Sequence, residues 1–115
     1  MRRGKHRKFA RETVQRGALY KALATALIDH GRIKTTLAKA KSTSGFVDKL
    51  VTKAKKGDLS AHRLIRKDIG EKATKKLMTD IGPKFKDRNG GYTKVLRLGR
   101  RISDGAEMAL LEFTS

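Results

Sequence analysis

The chain has 115 residues, 37% of them hydrophobic and 5% aromatic, enough for one modest aliphatic core and too few for two well-packed domains. Its 29 Lys and Arg face 11 Asp and Glu, a formal charge of +18, so the compact chain repels itself and a polyanion is its natural partner. It has no cysteine, which excludes a disulfide scaffold, thiolate chemistry and a cysteine-ligated zinc site.

Residues 1–11, MRRGKHRKFAR, hold six Lys or Arg and no acid. Phe9 is their only large, wholly apolar side chain apart from Met1. So little apolar surface cannot offset the entropy of ordering, so the segment is expected to be an extended basic arm that orders on nucleic acid. The alternative is a solvated terminus with no partner. No apolar stretch follows that would make it a secretory signal, and no run reaches membrane-spanning length. A cytoplasmic protein is the expectation.

A first helix is predicted over 13–30, with Thr13 as N-cap and a stripe of Leu19, Leu23, Ala26 and Leu27 beside Ala18 and Ala22. Gly31 suits its C-cap. Ile33 to Thr36 reads as a short strand. Thr36 then caps a second helix over 37–56, whose stripe is Leu37, Ala40, Val47, Leu50, Val51 and Ala54. Lys39 and Lys41 stand near its start, where the helix dipole disfavours cations, which points to a partner anion or to screening by solvent. Gly57-Asp58 separates it from a third helix, Leu59 to Ile69, ending at Gly70. A fourth helix runs from Glu71 to Asp80, with Ala73, Leu77 and Ile81 four apart.

From Ile81 to Gly91 the chain is dense in turn residues and holds its only proline. Two strands are predicted beyond it, Tyr92–Arg100 and Glu107–Phe113, joined at the turn signal Ser103-Asp104-Gly105. Leu110 and Leu111 break strict alternation, as in a strand contacted on both faces. No repeat of 20–50 residues is present. The reading is one α+β domain over 12–115, with a small sheet made from the 33–36 strand and the C-terminal hairpin.

Several blocks resemble one family. Arg32-Ile-Lys-Thr-Thr-Leu-Ala-Lys-Ala-Lys41, Ile81-Gly-Pro-Lys-Phe85, Arg88-Asn-Gly-Gly-Tyr-Thr-Lys-Val-Leu96 and Ser103-Asp-Gly-Ala-Glu-Met-Ala-Leu-Leu-Glu112 occur in order across the chain. They look like bacterial large-subunit ribosomal protein seventeen, as does the opening MRRGKHRK. The resemblance implies a fold of one helix, one strand, three helices and two strands in two layers. It implies binding to large-subunit ribosomal RNA near the exit of the nascent-chain tunnel, beside other large-subunit proteins, with a role in structure and assembly. Gln15-Arg16, Lys21–Ala24 and Glu107 depart from the usual pattern, and the third and fourth helices match poorly.

On that resemblance the expected RNA contacts are Arg2, Arg3, Lys5, His6, Arg7, Lys8 and Arg11 in the arm and Arg16 in the first helix. Lys34, Thr35, Thr36, Lys39 and Lys41 can hold a phosphate at the second helix start, against the alternative that Thr36 merely caps. Arg88, Gly90, Gly91 and Tyr92 form a turn, where the glycines permit close backbone approach to RNA or a neighbouring strand. Tyr92 there either stacks on a base or packs against the core. Lys94, Arg97, Arg100 and Arg101 give the hairpin a basic face, read equally as edge protection. Neutralising about ten phosphates predicts a log–log salt slope near −7 to −9.

His6, His30 and His62 fall in three different elements, and the acids lack a nucleophile or metal spacing. No catalysis, cofactor, metal or small-molecule substrate is expected, and no obligate homo-oligomer. Two rivals stand beside the ribosomal reading: a DNA-binding architectural protein, and a cationic protein of membrane surfaces.

Overall fold

In the computed structural model, which describes residues 17–114, the chain from Gly17 to His30 is helical. The expected cap Thr13 lies outside the described residues. In this helix, α1, the buried side chains are Ala24, Leu27 and Ile28, and Tyr20 stacks on Phe46 at 5.6 Å between ring centres. Leu19, Leu23 and Ala26 are half-buried, while Ala18 and Ala22 are exposed. The inward face is therefore centred about one residue away from the predicted stripe. Residues 19, 23 and 27 and residues 20, 24 and 28 are both apolar series four apart. The partner surface, Phe46 above all, chooses between them.

Strand β1, Arg32–Thr36, leads directly into helix α2, Leu37–Ala54. Thr36 ends the strand in an extended conformation and its hydroxyl accepts from the Lys39 N–H at 3.4 Å, as a cap should. Every member of the predicted α2 stripe is buried, and Thr43 joins them. The helix stops two residues earlier than predicted, because the Gly57 N–H turns back to the Ala54 carbonyl at 3.1 Å. Asp58 caps α3, Leu59–Ile69, by accepting from the Ala61 N–H at 2.8 Å.

Helix α4, Glu71–Lys76, widens into a π turn over Leu77–Ile81 where a continuous α-helix was predicted. The Gly82 N–H reaches the Leu77 carbonyl, five residues back, at 2.7 Å. Gly82 fits here for space: a Cβ would stand 3.3 Å from that carbonyl oxygen and 3.4 Å from the oxygen of Ala54. The backbone thus closes against the end of α2 while Leu77 and Ile81 both face the core. A short 3₁₀ turn, Pro83–Phe85, follows.

Strands β2, Thr93–Arg100, and β3, Glu107–Phe113, pair antiparallel, and β3 also pairs antiparallel with β1, so the order is β1-β3-β2. Ile33, Leu111 and Val95 form one cross-strand row, and Lys34, Leu110 and Leu96 the next, on the opposite face. Leu111 is fully buried and Leu110 half-buried, which explains the broken alternation. Between Arg97 and Gly99 the register slips; Leu98 is the extra residue and Gly99, at φ 96°, takes the left-handed conformation the bulge requires.

Helix α2 lies on the inner face of the sheet, α3 and the Leu77–Ile81 turn pack beside it, and α4 packs on α3. The α+β reading and the order of elements hold over the described residues. One polar tie crosses the layers: the Thr93 hydroxyl donates to Asp48 at 3.0 Å and shares a 2.6 Å hydrogen bond with Ser44. Burial raises the Asp48 carboxyl above its ordinary range, against the lowering effect of the Thr93 bonds.

Candidate nucleic-acid interface

The cations are distributed unevenly over this scaffold. Residues 37–88 carry fifteen Lys and Arg against six acids, whereas the 93–113 hairpin carries four against three. Ion pairing sharpens the contrast. On the hairpin Lys94 meets Glu112 at 3.3 Å, Arg100 meets Glu107 at 3.8 Å, and Arg101 meets Asp104 at 2.7 Å. Arg97 is exposed and has no ion pair among the described residues. In the helical stretch, Arg88 is engaged by its own loop, and of the remaining cations there only Arg66 has a carboxylate partner among the described residues, Glu71 at 3.3 Å.

The Arg101–Asp104 pair is built into the turn. Two guanidinium nitrogens donate to the carboxylate, at 3.0 and 2.7 Å, and the Ala106 N–H donates to the same group at 3.1 Å. The Arg101 bonds, with the Ala106 N–H next, hold the Asp104 carboxyl down at about 2. The pairing is therefore complete above the ordinary carboxylate range and is lost as pH falls through about 2. An NMR titration of the Asp104 carboxyl is expected to give a midpoint near that value; a midpoint near 4, the ordinary value of about 3.9, would show the pair to be absent in solution.

At the β1–α2 junction the predicted cluster separates. Lys34 is exposed on the outer face of the sheet, whereas Thr35 pairs with buried Ala109 on the inner face. The two therefore point to opposite sides of the strand and cannot hold one phosphate together. The Thr36 hydroxyl accepts from the Lys39 N–H. Lys39 and Lys41 remain exposed beside it, with no acid in the first turn of α2.

The 88–92 turn corrects another expectation. Gly90 and Gly91 have φ of 101° and 63°, so the turn itself requires them, but a Cβ on either would meet nothing within 4 Å. Conformation selects these glycines, and no neighbouring strand crowds them. Arg88 lies over the Phe85 ring at 5.8 Å and donates to the Thr114 hydroxyl and, at 3.4 Å, to the Gly91 carbonyl. Tyr92 is 2% exposed, its ring 5.3 Å from that of Phe85. Buried this way it offers no face to a base, and the packing alternative stands in place of stacking.

Sequence reading did not single out Lys49, Lys56, Lys72, Lys75, Lys84 and Lys86, which are all exposed. Acids stand next to several of them in the sequence, as Asp48, Glu71 and Asp87 do, and only the structure shows that none of the six is ion-paired among the described residues. The predicted residues of the arm and Arg16 lie outside the described residues. Among the described residues no group of three His or acidic side chains can hold a metal. His62 instead stands 3.7 Å from Glu71, between α3 and α4. No described helix is long and apolar enough to cross a membrane.

The sequence profile of the family described as ribosomal protein L17 matches residues 19–114. A Campylobacter jejuni protein named large ribosomal subunit protein bL17 is 49% identical over 96% of this chain and 95% of its own length. The chain belongs to the ribosomal protein L17 family. Proteins of the same name are similar in Campylobacter concisus, 47% identical over 96% of this chain and 94% of theirs, and in Methylacidiphilum infernorum, 50% identical over 93% and 82%. Membership in the L17 family makes the chain a ribosomal protein, structural and not enzymatic.

Proposed function

We propose that this chain is a structural constituent of the large ribosomal subunit that binds large-subunit ribosomal RNA, near the exit of the nascent-chain tunnel, through its basic arm and helical surface. The observation that carries the RNA reading is the excess charge of residues 37–88, fifteen cations against six acids, where, Arg88 aside, only Arg66 has a carboxylate partner among the described residues. Phosphates would release counterions there without first displacing a carboxylate. Of these cations, Lys39 and Lys41 at the start of α2 stand nearest to β1. With Tyr92 buried and few aromatics exposed, recognition falls to RNA shape and backbone, the usual mode for double-stranded RNA.

Sedimentation of cell lysate through sucrose, at moderate and high salt, tests the assignment. The protein is expected in the large-subunit and whole-ribosome fractions, and to stay there after a high-salt wash. Recovery in the light fractions only, or with chromosomal DNA, would overturn it.

A further inference from the structure

We infer that the outer face of the β2–β3 hairpin docks another protein of the subunit, by an apolar polypeptide segment that also carries a carboxylate. This rests on the reading of the chain as a large-subunit constituent. The exposed large apolar side chains of the described residues are Leu59, Leu64, Leu96, Leu98 and Ile102, and the last three fall within seven residues of one another. Ile102 is completely exposed at the hairpin tip. The register places Leu96 beside Leu110 on the outer face, and the bulge adds Leu98, which lines one depression with Met108 and Ile102. Isolated surface leucines are ordinary, but a contiguous strip of this kind marks an interaction surface.

Charge decides the class of partner. The chain carries +18 in all, yet the hairpin's three acids are each paired with one of its four cations. RNA therefore meets its weakest attraction here and would find aliphatic side chains in place of phosphate donors. An apolar centre with a polar rim, most of whose hairpin charges are already paired, is instead the anatomy of a protein–protein contact. Arg32 and Lys34 flank the strip on β1, exposed and without an ion pair among the described residues. They are the groups a partner carboxylate would meet. A second copy of the chain would bring another +18 to the contact. Strand addition at the β2 edge is disfavoured by the bulge at Gly99, which interrupts the ladder.

The test is made in assembled large subunits from cells whose only copy of this protein carries a benzophenone amino acid in place of Ile102. Irradiation is expected to yield a crosslink to a peptide of another subunit protein that contains apolar residues and an Asp or Glu. A crosslink to ribosomal RNA alone, to a second copy, or to nothing would overturn the inference while leaving the chain's presence in the subunit intact. If the chain were missing from the subunits, the functional reading would fall with it. A Leu98→Ser, Ile102→Ser double variant separates the two binding modes, since both side chains are exposed and their loss leaves the core untouched. Its affinity for protein-free large-subunit RNA is expected to change by less than about twofold, while its retention in salt-washed subunits falls several-fold. A tenfold loss of RNA affinity, on the order of one specific contact, would assign the strip to RNA instead.

Discussion

Removal of residues 1–11 is expected to make the log–log salt slope of RNA binding shallower by about 4 to 5, the largest functional effect of any change considered. The segment holds six Lys and Arg and no acid. Each phosphate contact contributes roughly 0.7 to 0.9 to the slope, from single strands to duplex. Over a fourfold rise in salt, that difference amounts to an extra sensitivity on the order of 10² to 10³ in affinity for the intact chain. Among the described residues the core is continuous, its buried side chains running from Ala24 to Leu111. Far-ultraviolet circular dichroism of the shortened protein should therefore match that of the whole chain apart from the missing residues, while filter binding at several salt concentrations shows the loss. An unchanged slope would place the arm off the RNA, and an unfolded product would make it part of the domain.

Much of the fold is legible because its signals are local. The α2 stripe repeats at helical spacing over five turns, and each of its six predicted members is buried. Asp58 after Gly57, and Gly70 after Ile69, punctuate α3 at the predicted positions. Strand β3 spans the predicted residues. What is not legible is set by tertiary contact. Two apolar series compete on α1, and Phe46, 26 residues after Tyr20, selects one. The π turn at Leu77–Ile81 arises where the backbone at Gly82 meets the end of α2, an approach no local pattern records. The bulge at Gly99 is hinted at only by a glycine within a strand pattern.

The candidate site divides along the same line. That the chain serves a polyanion is written in its composition, but which cations are available is not. Lys94 and Glu112 are far apart in sequence and 3.3 Å apart in space. Arg100 and Arg101 look like a basic tip until Glu107 and Asp104 are placed beside them. Lys34 and Thr35 are adjacent in sequence, and for that reason face opposite sides of a strand. Exposed ion pairs of this kind are individually weak, about 0 to 1 kcal/mol, so their effect lies in where they bias RNA to bind. The hairpin's low net charge, four cations against three acids, and its apolar strip are then two aspects of one surface.

Replacing Tyr92 with Ala is expected to cost about 3 to 5 kcal/mol of folding stability, a large share of the roughly 5 to 15 kcal/mol that holds a domain together. The ring is among the largest buried side chains and packs on Phe85, which in turn lies 6.1 Å from Phe113. Its hydroxyl donates to the Arg88 carbonyl at 3.1 Å and accepts from the Lys55 ammonium at 3.0 Å. Lys55 also donates to that carbonyl, so one tyrosine fastens the 88–92 turn to the end of α2. The Lys55 hydrogen bond lowers the phenol below its ordinary range, more than burial raises it. Tyr92→Phe keeps the ring and removes only the hydroxyl, and is expected to cost about 0.5 to 1.5 kcal/mol while RNA affinity stays level. Urea denaturation of both variants, read beside RNA binding, distinguishes packing from stacking. A base-stacking tyrosine would show the reverse pattern, with Tyr92→Ala as stable as the natural chain but weaker on RNA by about 1 to 3 kcal/mol. Burial against Phe85 makes the first pattern the expected one, because a ring already covered by protein has no free face left to offer a nucleotide.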